Sequence, residues 1–151
     1  MTHITKLTAT LALTLASLSV SANDCELTIT ANDAMQFDKK TLAVPATCKQ
    51  VTLNLKHSGT LPKSAMGHNW VLSTAENIQA IANDGMTAGI EHSYVKPDDT
   101  RVIAHTGVIG GGAETSITFS IEGLDSSAAY RFFCSFPGHW AIMQGSFVIE
   151  A

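Results

Sequence analysis

Alternation of apolar and polar residues marks this chain as a β protein. Leu27 and Ile29 alternate with Thr28 and Thr30. Val51, Leu53 and Leu55 alternate with Thr52, Asn54 and Lys56, which puts His57 on the apolar side of its run. The same period recurs over residues 102–105 and through Ile117, Phe119 and Ile121. Trp70-Val71-Leu72, the aromatic run Tyr130 to Phe136, and Phe147-Val148-Ile149 are further short β-prone segments. A period of two sends successive side chains to opposite faces, so each alternating run can bury one face and wet the other. Turn-forming residues separate the runs: Ser58-Gly59, Pro97-Asp98-Asp99, Gly110-Gly111-Gly112 and Pro137-Gly138. Seven or eight short strands with turns this frequent predict an all-β sandwich. One stretch breaks the period. Ser73 or Thr74 can cap a helix starting near Ala75-Glu76, with Ile78, Ile81 and Ala82 on one face and Gly85 as its stop.

The N-terminus has a different character. Lys6 lies in a short polar start, Leu7 to Val20 is apolar apart from Thr and Ser, and Val20-Ser21-Ala22 supplies small residues where a signal peptidase cuts. The apolar stretch is too short and too rich in hydroxyls for a membrane span. Residues 1–22 are therefore expected to be a cleaved signal peptide, and residues 23–151 a single domain in an oxidising compartment such as a periplasm. No second apolar span follows, so no membrane attachment is expected after cleavage.

Composition narrows the chemistry. Apolar residues make up 45% of the 151-residue chain, which excludes wholesale disorder. The net charge of −4 leaves no basic stripe to neutralise phosphates, so a nucleic-acid partner is not expected. Six His, five Met and three Cys are many soft and borderline metal donors for so short a chain.

Three cysteines cannot all pair. Cys134 stands in Phe133-Cys134-Ser135-Phe136-Pro137-Gly138-His139, with Met143 just beyond. The spacing Cys-x4-His-x3-Met brings a thiolate, an imidazole and a thioether onto one short loop. Export permits a disulfide, and Cys25 with Cys48 is the pair left over. Closing that loop stabilises by about 3 kcal/mol in the chain-entropy account. Without His139 and Met143 beside it, Cys134 would read as a buried, inert thiol or as half of an intermolecular disulfide. Zinc prefers four strong donors, and a thioether is a poor one. One thiolate, imidazoles and a weak Met suit copper, and two His, one Cys and a distant axial Met form the established blue-copper arrangement. A second His is then needed. His57 has the parity of a buried structural residue, and His92 and His105 lie in polar surroundings. His68 stands at the mouth of the run Trp70-Val71-Leu72, a place from which a ligand can be aimed, but spacing alone does not decide for it.

The runs Met66-Gly67-His68-Asn69-Trp70-Val71-Leu72-Ser73, Lys96-Pro97-Asp98-Asp99, Arg101-Val102-Ile103-Ala104-His105-Thr106 and Phe132-Phe133-Cys134-Ser135-Phe136-Pro137-Gly138-His139 together resemble the azurins, type 1 copper proteins of the cupredoxin class. The resemblance spans Cys25 to Ile149. It implies a cupredoxin-like Greek-key β-sandwich of about eight strands with one short helical flap, binding one copper ion that cycles between Cu(II) and Cu(I). His68, Cys134 and His139 would be the strong ligands, Met143 the weak axial one, and the Gly67 carbonyl would approach from the other side. Backbone amides of Asn69 and Phe136 would donate to the thiolate, the Asn69 side chain would tie the ligand loops together, and Cys25–Cys48 would be the disulfide. Trp70 would be a buried core indole and His57 a buried non-ligand.

An apolar patch of Met35, Leu61, Met66, Phe136, Pro137, Ala141 and Ile142 is expected around His139 as a docking face. Trp140 departs from the azurin pattern, which commonly has a small residue there; it either widens that face, restricts solvent or alters the choice of partner, or it packs on a neighbouring loop. The implied activity is periplasmic electron transfer rather than enzymatic turnover. Redox proteins such as c-type cytochromes, nitrite reductase or amine dehydrogenases would be the partners, and the carrier would be a monomer or weakly self-associating. A copper oxidase would need a second metal cluster, and a copper-delivery protein would expose Met- or His-rich tracts; the sequence offers neither.

Overall fold

The computed structural model describes residues 22–150, so the expected signal peptide lies outside the described residues except for Ala22. Nine strands form two facing sheets. β1 (Glu26–Asn32), β2 (Gln36–Phe37), β4 (Gln50–His57) and β7 (Glu114–Ser120) make the first, in the order β2-β1-β4-β7. β3 (Thr41–Pro45), β5 (Val71–Thr74), β6 (Val102–His105), β8 (Tyr130–Phe133) and β9 (Gln144–Glu150) make the second, in the order β3-β9-β8-β5-β6. The chain crosses between sheets repeatedly, which makes the β1/β4 and β3/β9 pairs parallel and the other neighbours antiparallel.

The alternation read from the sequence is the alternation observed. In β4, Val51, Leu53, Leu55 and His57 all point inward. Two strands were not read from the sequence, because they are short or sit at an edge. β2 has two residues, and β3 buries only Leu42 and Val44 and ends in Pro45. Proline removes a ladder donor and is tolerated at the outer position that β3 occupies. The core between the sheets centres on Trp70, packed among Phe119, Phe132 and Phe147 at centroid separations of 5.7–6.4 Å. Cys25 and Cys48 are bonded and staple the turn just before β1 to the segment leading into β4.

The apolar run Val71-Leu72 is explained by burial on both faces of β5. Leu72 enters the sandwich core, whereas Val71 joins Phe133, Ile78, Ile81, Ala82 and Val95 in a second cluster outside the sheet. Helix α2 (Ile78–Ala88) supplies that cover, after a single 3-10 turn over Ala75–Asn77. The helix departs from expectation at both ends. Neither Thr74 nor Asn77 makes a side-chain capping bond, and Gly85 does not stop the helix. Gly85 is buried mid-helix because a Cβ there would collide with the Tyr94 carbonyl, and the chain leaves the helix at Gly89, with φ of 74°. A four-residue turn, α1 (Lys63–Met66), precedes His68. No helix among the described residues is long and apolar enough to cross a membrane.

Candidate metal centre

At one end of the sandwich the second sheet delivers two loops to a common point. β8 ends at Phe133, one residue before Cys134, and the following loop closes on itself. His139 N donates to Phe136 O at 3.0 Å, Met143 N to His139 O at 2.8 Å, and Cys134 N to Met143 O at 3.0 Å. His68 enters from the segment before β5, held by a two-way backbone bridge to Ile109 at 2.9–3.0 Å.

The side chains converge. Cys134 Sγ lies 3.8 Å from His68 Nδ1 and 3.7 Å from His139 Nδ1, and the three donor atoms all fall within 4.8 Å of one another. They are the one such group of three among the described residues. An ion about 2.1 Å from each donor of a flat triangle spaces those donors about 3.6 Å apart, so the gap fits a first-row ion with little adjustment. His68 and Cys134 are fully buried and His139 is 4% exposed. Met143 is fully buried in the same core cluster as Cys134. Gly67 is buried against Lys63, Val108 and Phe136, with no room for a Cβ.

Hydrogen bonds fix the donors' chemical form. His68 Nε2 donates to Asn32 O at 2.9 Å, which leaves the Nδ1 lone pair for an ion beside Cys134. Burial holds His68 neutral, pushing its pKa down to about 4, and lowers that of His139 as well. Burial pushes the Cys134 thiol up to about 12, against the pull of the Asn69 and Phe136 backbone amides directed at its sulfur. A thiol so reluctant to ionise becomes a thiolate when a cation replaces its proton. Asn69 ties the loops together: Ser135 N donates to its Oδ1 at 2.9 Å, and its Nδ2 donates to Ser135 Oγ and Ser93 O, both at 2.8 Å.

The remaining histidines among the described residues behave as their surroundings suggest. His57 is buried; its Nδ1 accepts from Gly59 N at 3.0 Å, its Nε2 donates to Met66 O at 2.9 Å, and its ring lies 4.6 Å from that of His68. His92 and His105 are exposed and line one shallow cavity of about 400 Å³ with Glu91, Lys96 and Asp98.

The surface near His139 differs in two places from expectation. Leu61 is 40% and Ile142 56% exposed, Pro137 and Ala141 are exposed, and Met35 and Met66 are half-buried. Phe136 is not part of the exposed patch: its ring packs 4.7 Å from His139 and edge-on to Tyr94. Trp140 is half-buried against the cluster under helix α2, so packing on a neighbouring element describes it better than a free docking surface. The sequence reading also missed Asn32 and Ser93, because both act through backbone carbonyls that any residue type could supply.

A cysteine sulfur and two neutral imidazoles, buried together at one end of a two-sheet sandwich, suit copper. Residues 23–150 match the family described as copper binding proteins, plastocyanin/azurin family. The chain is 53% identical to the azurin of Achromobacter denitrificans over 143 residues, 95% of this chain and 96% of that protein. It is 48% identical to the azurin of Pseudomonas aeruginosa over 145 residues, 96% of this chain and 98% of that one. Among solved structures, the azurin Az-iso2 of Methylomonas sp. strain J superposes with a TM-score of 0.81 at 42% identity, covering 84% of this chain and 98% of that chain. The chain belongs to the plastocyanin/azurin family, and its metal is copper.

Proposed function

We propose that this chain is a one-electron carrier of the periplasm, exported by residues 1–22 and working as the single domain 23–151. His68, Cys134 and His139 would hold the copper as its strong ligands, with Met143 and the Gly67 carbonyl as weaker donors. The observation that carries this reading is the convergence of three buried donors within 4.8 Å of one another, with the His68 imidazole held neutral and hydrogen-bonded in place. Copper bound there supplies reversible one-electron chemistry. The protein's own contribution is to resist rearrangement. His68 is clamped by Asn32 and Ile109, Cys134 by its backbone bond to Met143, and both loops by Asn69. Donors that do not move between oxidation states lower the cost of each transfer, and burial disfavours the more highly charged oxidised form, which raises the potential.

Burial of the three donors supports a carrier over an enzyme, which would need a substrate to reach the metal. The electron leaves through His139, beneath the exposed rim of Leu61, Pro137, Ala141 and Ile142. A small uncharged rim suits brief encounters with redox proteins such as c-type cytochromes, nitrite reductase or amine dehydrogenases. Stopped-flow electron exchange between the copper-loaded protein and a c-type cytochrome tests this. Ile142→Glu should slow exchange at least tenfold with the visible spectrum unchanged. An unaltered rate would remove the docking assignment, and absence of any one-electron exchange would remove the carrier function.

A further inference from the structure

Helix α2 lies outside both sheets, yet one short connection couples it to the donor loops. Gly85 seats the Tyr94 carbonyl directly on the helix backbone. Arg101 adds a second fastening, bonding Asp84 of the helix and Asp99 of the following loop at 2.6 Å each. Between these anchors, Ser93 and Tyr94 have φ of 56° and 51°. Two consecutive non-glycine residues in the left-handed region persist only where surrounding contacts over-determine them.

Those contacts lead to the metal centre. The Ser93 carbonyl accepts from Asn69 Nδ2 at 2.8 Å and from the Ser135 hydroxyl at 3.4 Å. One oxygen thus joins the residue after His68 to the residue after Cys134. The Ser93 hydroxyl accepts from Val108 N at 3.2 Å, next to the Ile109 bridge that holds His68. The Tyr94 ring meets Phe136 edge-on at 5.2 Å, and Phe136 lies 4.7 Å from the His139 ring.

We infer that Ser93 and Tyr94 form a strut that transmits the position of helix α2 to both donor loops, and that they are positioning residues for the copper centre. The strut touches the segments that carry all three donors. A relaxed loop would withdraw the carbonyl shared by Asn69 and Ser135, which is why the strained conformation is kept. Its redox consequence rests on the copper reading above, but the mechanical coupling does not need the metal.

Gly85→Ala tests this in the full chain, because the added methyl must displace Tyr94 from the helix. In copper-free protein, amide hydrogen exchange at Ser135 should accelerate at least tenfold relative to Leu55 of β4. In copper-loaded protein, the midpoint potential and the copper hyperfine splitting should both shift. Ile121→Val, a core truncation in the connection after β7, should produce neither change. Tyr94→Leu removes the contact with Phe136 and leaves the helix intact; it should act in the same direction, more weakly, and serves if Gly85→Ala does not fold. Ser135 exchange, potential and hyperfine splitting that all stay at wild-type values in the variants would overturn the strut. Faster Ser135 exchange in a protein that gives no blue copper spectrum would keep the strut and reject the copper reading.

Discussion

The two halves of the metal centre are held by opposite means. Cys134, His139 and Met143 share a loop that closes with its own backbone bonds, spanning three to nine residues. His68 has no such local support. Its ring is anchored on Asn32, its backbone on Ile109, and its neighbour Asn69 on Ser93 and Ser135, all distant in sequence. A local loop can form early and cheaply, whereas the His68 half exists only once both sheets have closed. The centre is therefore as much a product of the finished sandwich as of the ligand motif.

Cutting the long-range half should do the most damage. Asn69→Ala removes a fully buried side chain and leaves Ser135 N and two acceptors without their partner. We expect a loss of about 2–4 kcal/mol in chemical denaturation of copper-free protein. Removing the exposed Thr52–Thr118 hydroxyl pair of the first sheet, at 2.9 Å, should cost under about 1 kcal/mol. Equal losses would mean that the bridge between the halves carries no special weight.

Acid should act next most strongly, and on the same half. The pKa of His68 falls from 6.5 to about 4 on folding, so between those values the unfolded chain binds a proton that the native chain refuses. Stability of copper-free protein should accordingly fall as pH drops from 6.5 to 4, by about 3 kcal/mol, and this contribution should level off below. His139 adds to the loss in the same direction. Denaturation midpoints across that range measure it, and a His68→Gln variant should flatten the slope. A slope unchanged in the variant would contradict the assignment.

The smallest effect is expected on the local half. Trp140→Leu trims packing against the cluster under helix α2 and should cost about 1–2 kcal/mol. The copper spectrum should not change, because the backbone bonds of the loop do not involve the indole. A changed spectrum would show that the loop depends on the helix side more directly than its own bonds suggest.

The same contrast explains what could be read from sequence. The parity of Val51, Leu53 and Leu55 placed β4 correctly, since inward positions in a half-buried strand must be apolar. Cys134, His139 and Met143 stood out because their donors are unusual residue types at close spacing. β3 was invisible because two inward residues and an edge proline make too weak a period. Gly85 looked like a helix stop because glycine is common there, but its role was set by Tyr94, which only the fold brings near. Resemblance to azurins pointed to His68 where spacing left it open; the Asn32 and Ser93 carbonyls that hold its loop carry no side-chain signal at all.

The most direct measurement is the visible and EPR spectrum of the purified chain with one equivalent of Cu(II), compared with Cys134→Ser. The expected result is an intense blue absorption with a narrow copper hyperfine splitting in the native chain, both lost in the variant. A colourless native complex, or a blue one that survives loss of the sulfur, would contradict a shared site for residues 68, 134 and 139.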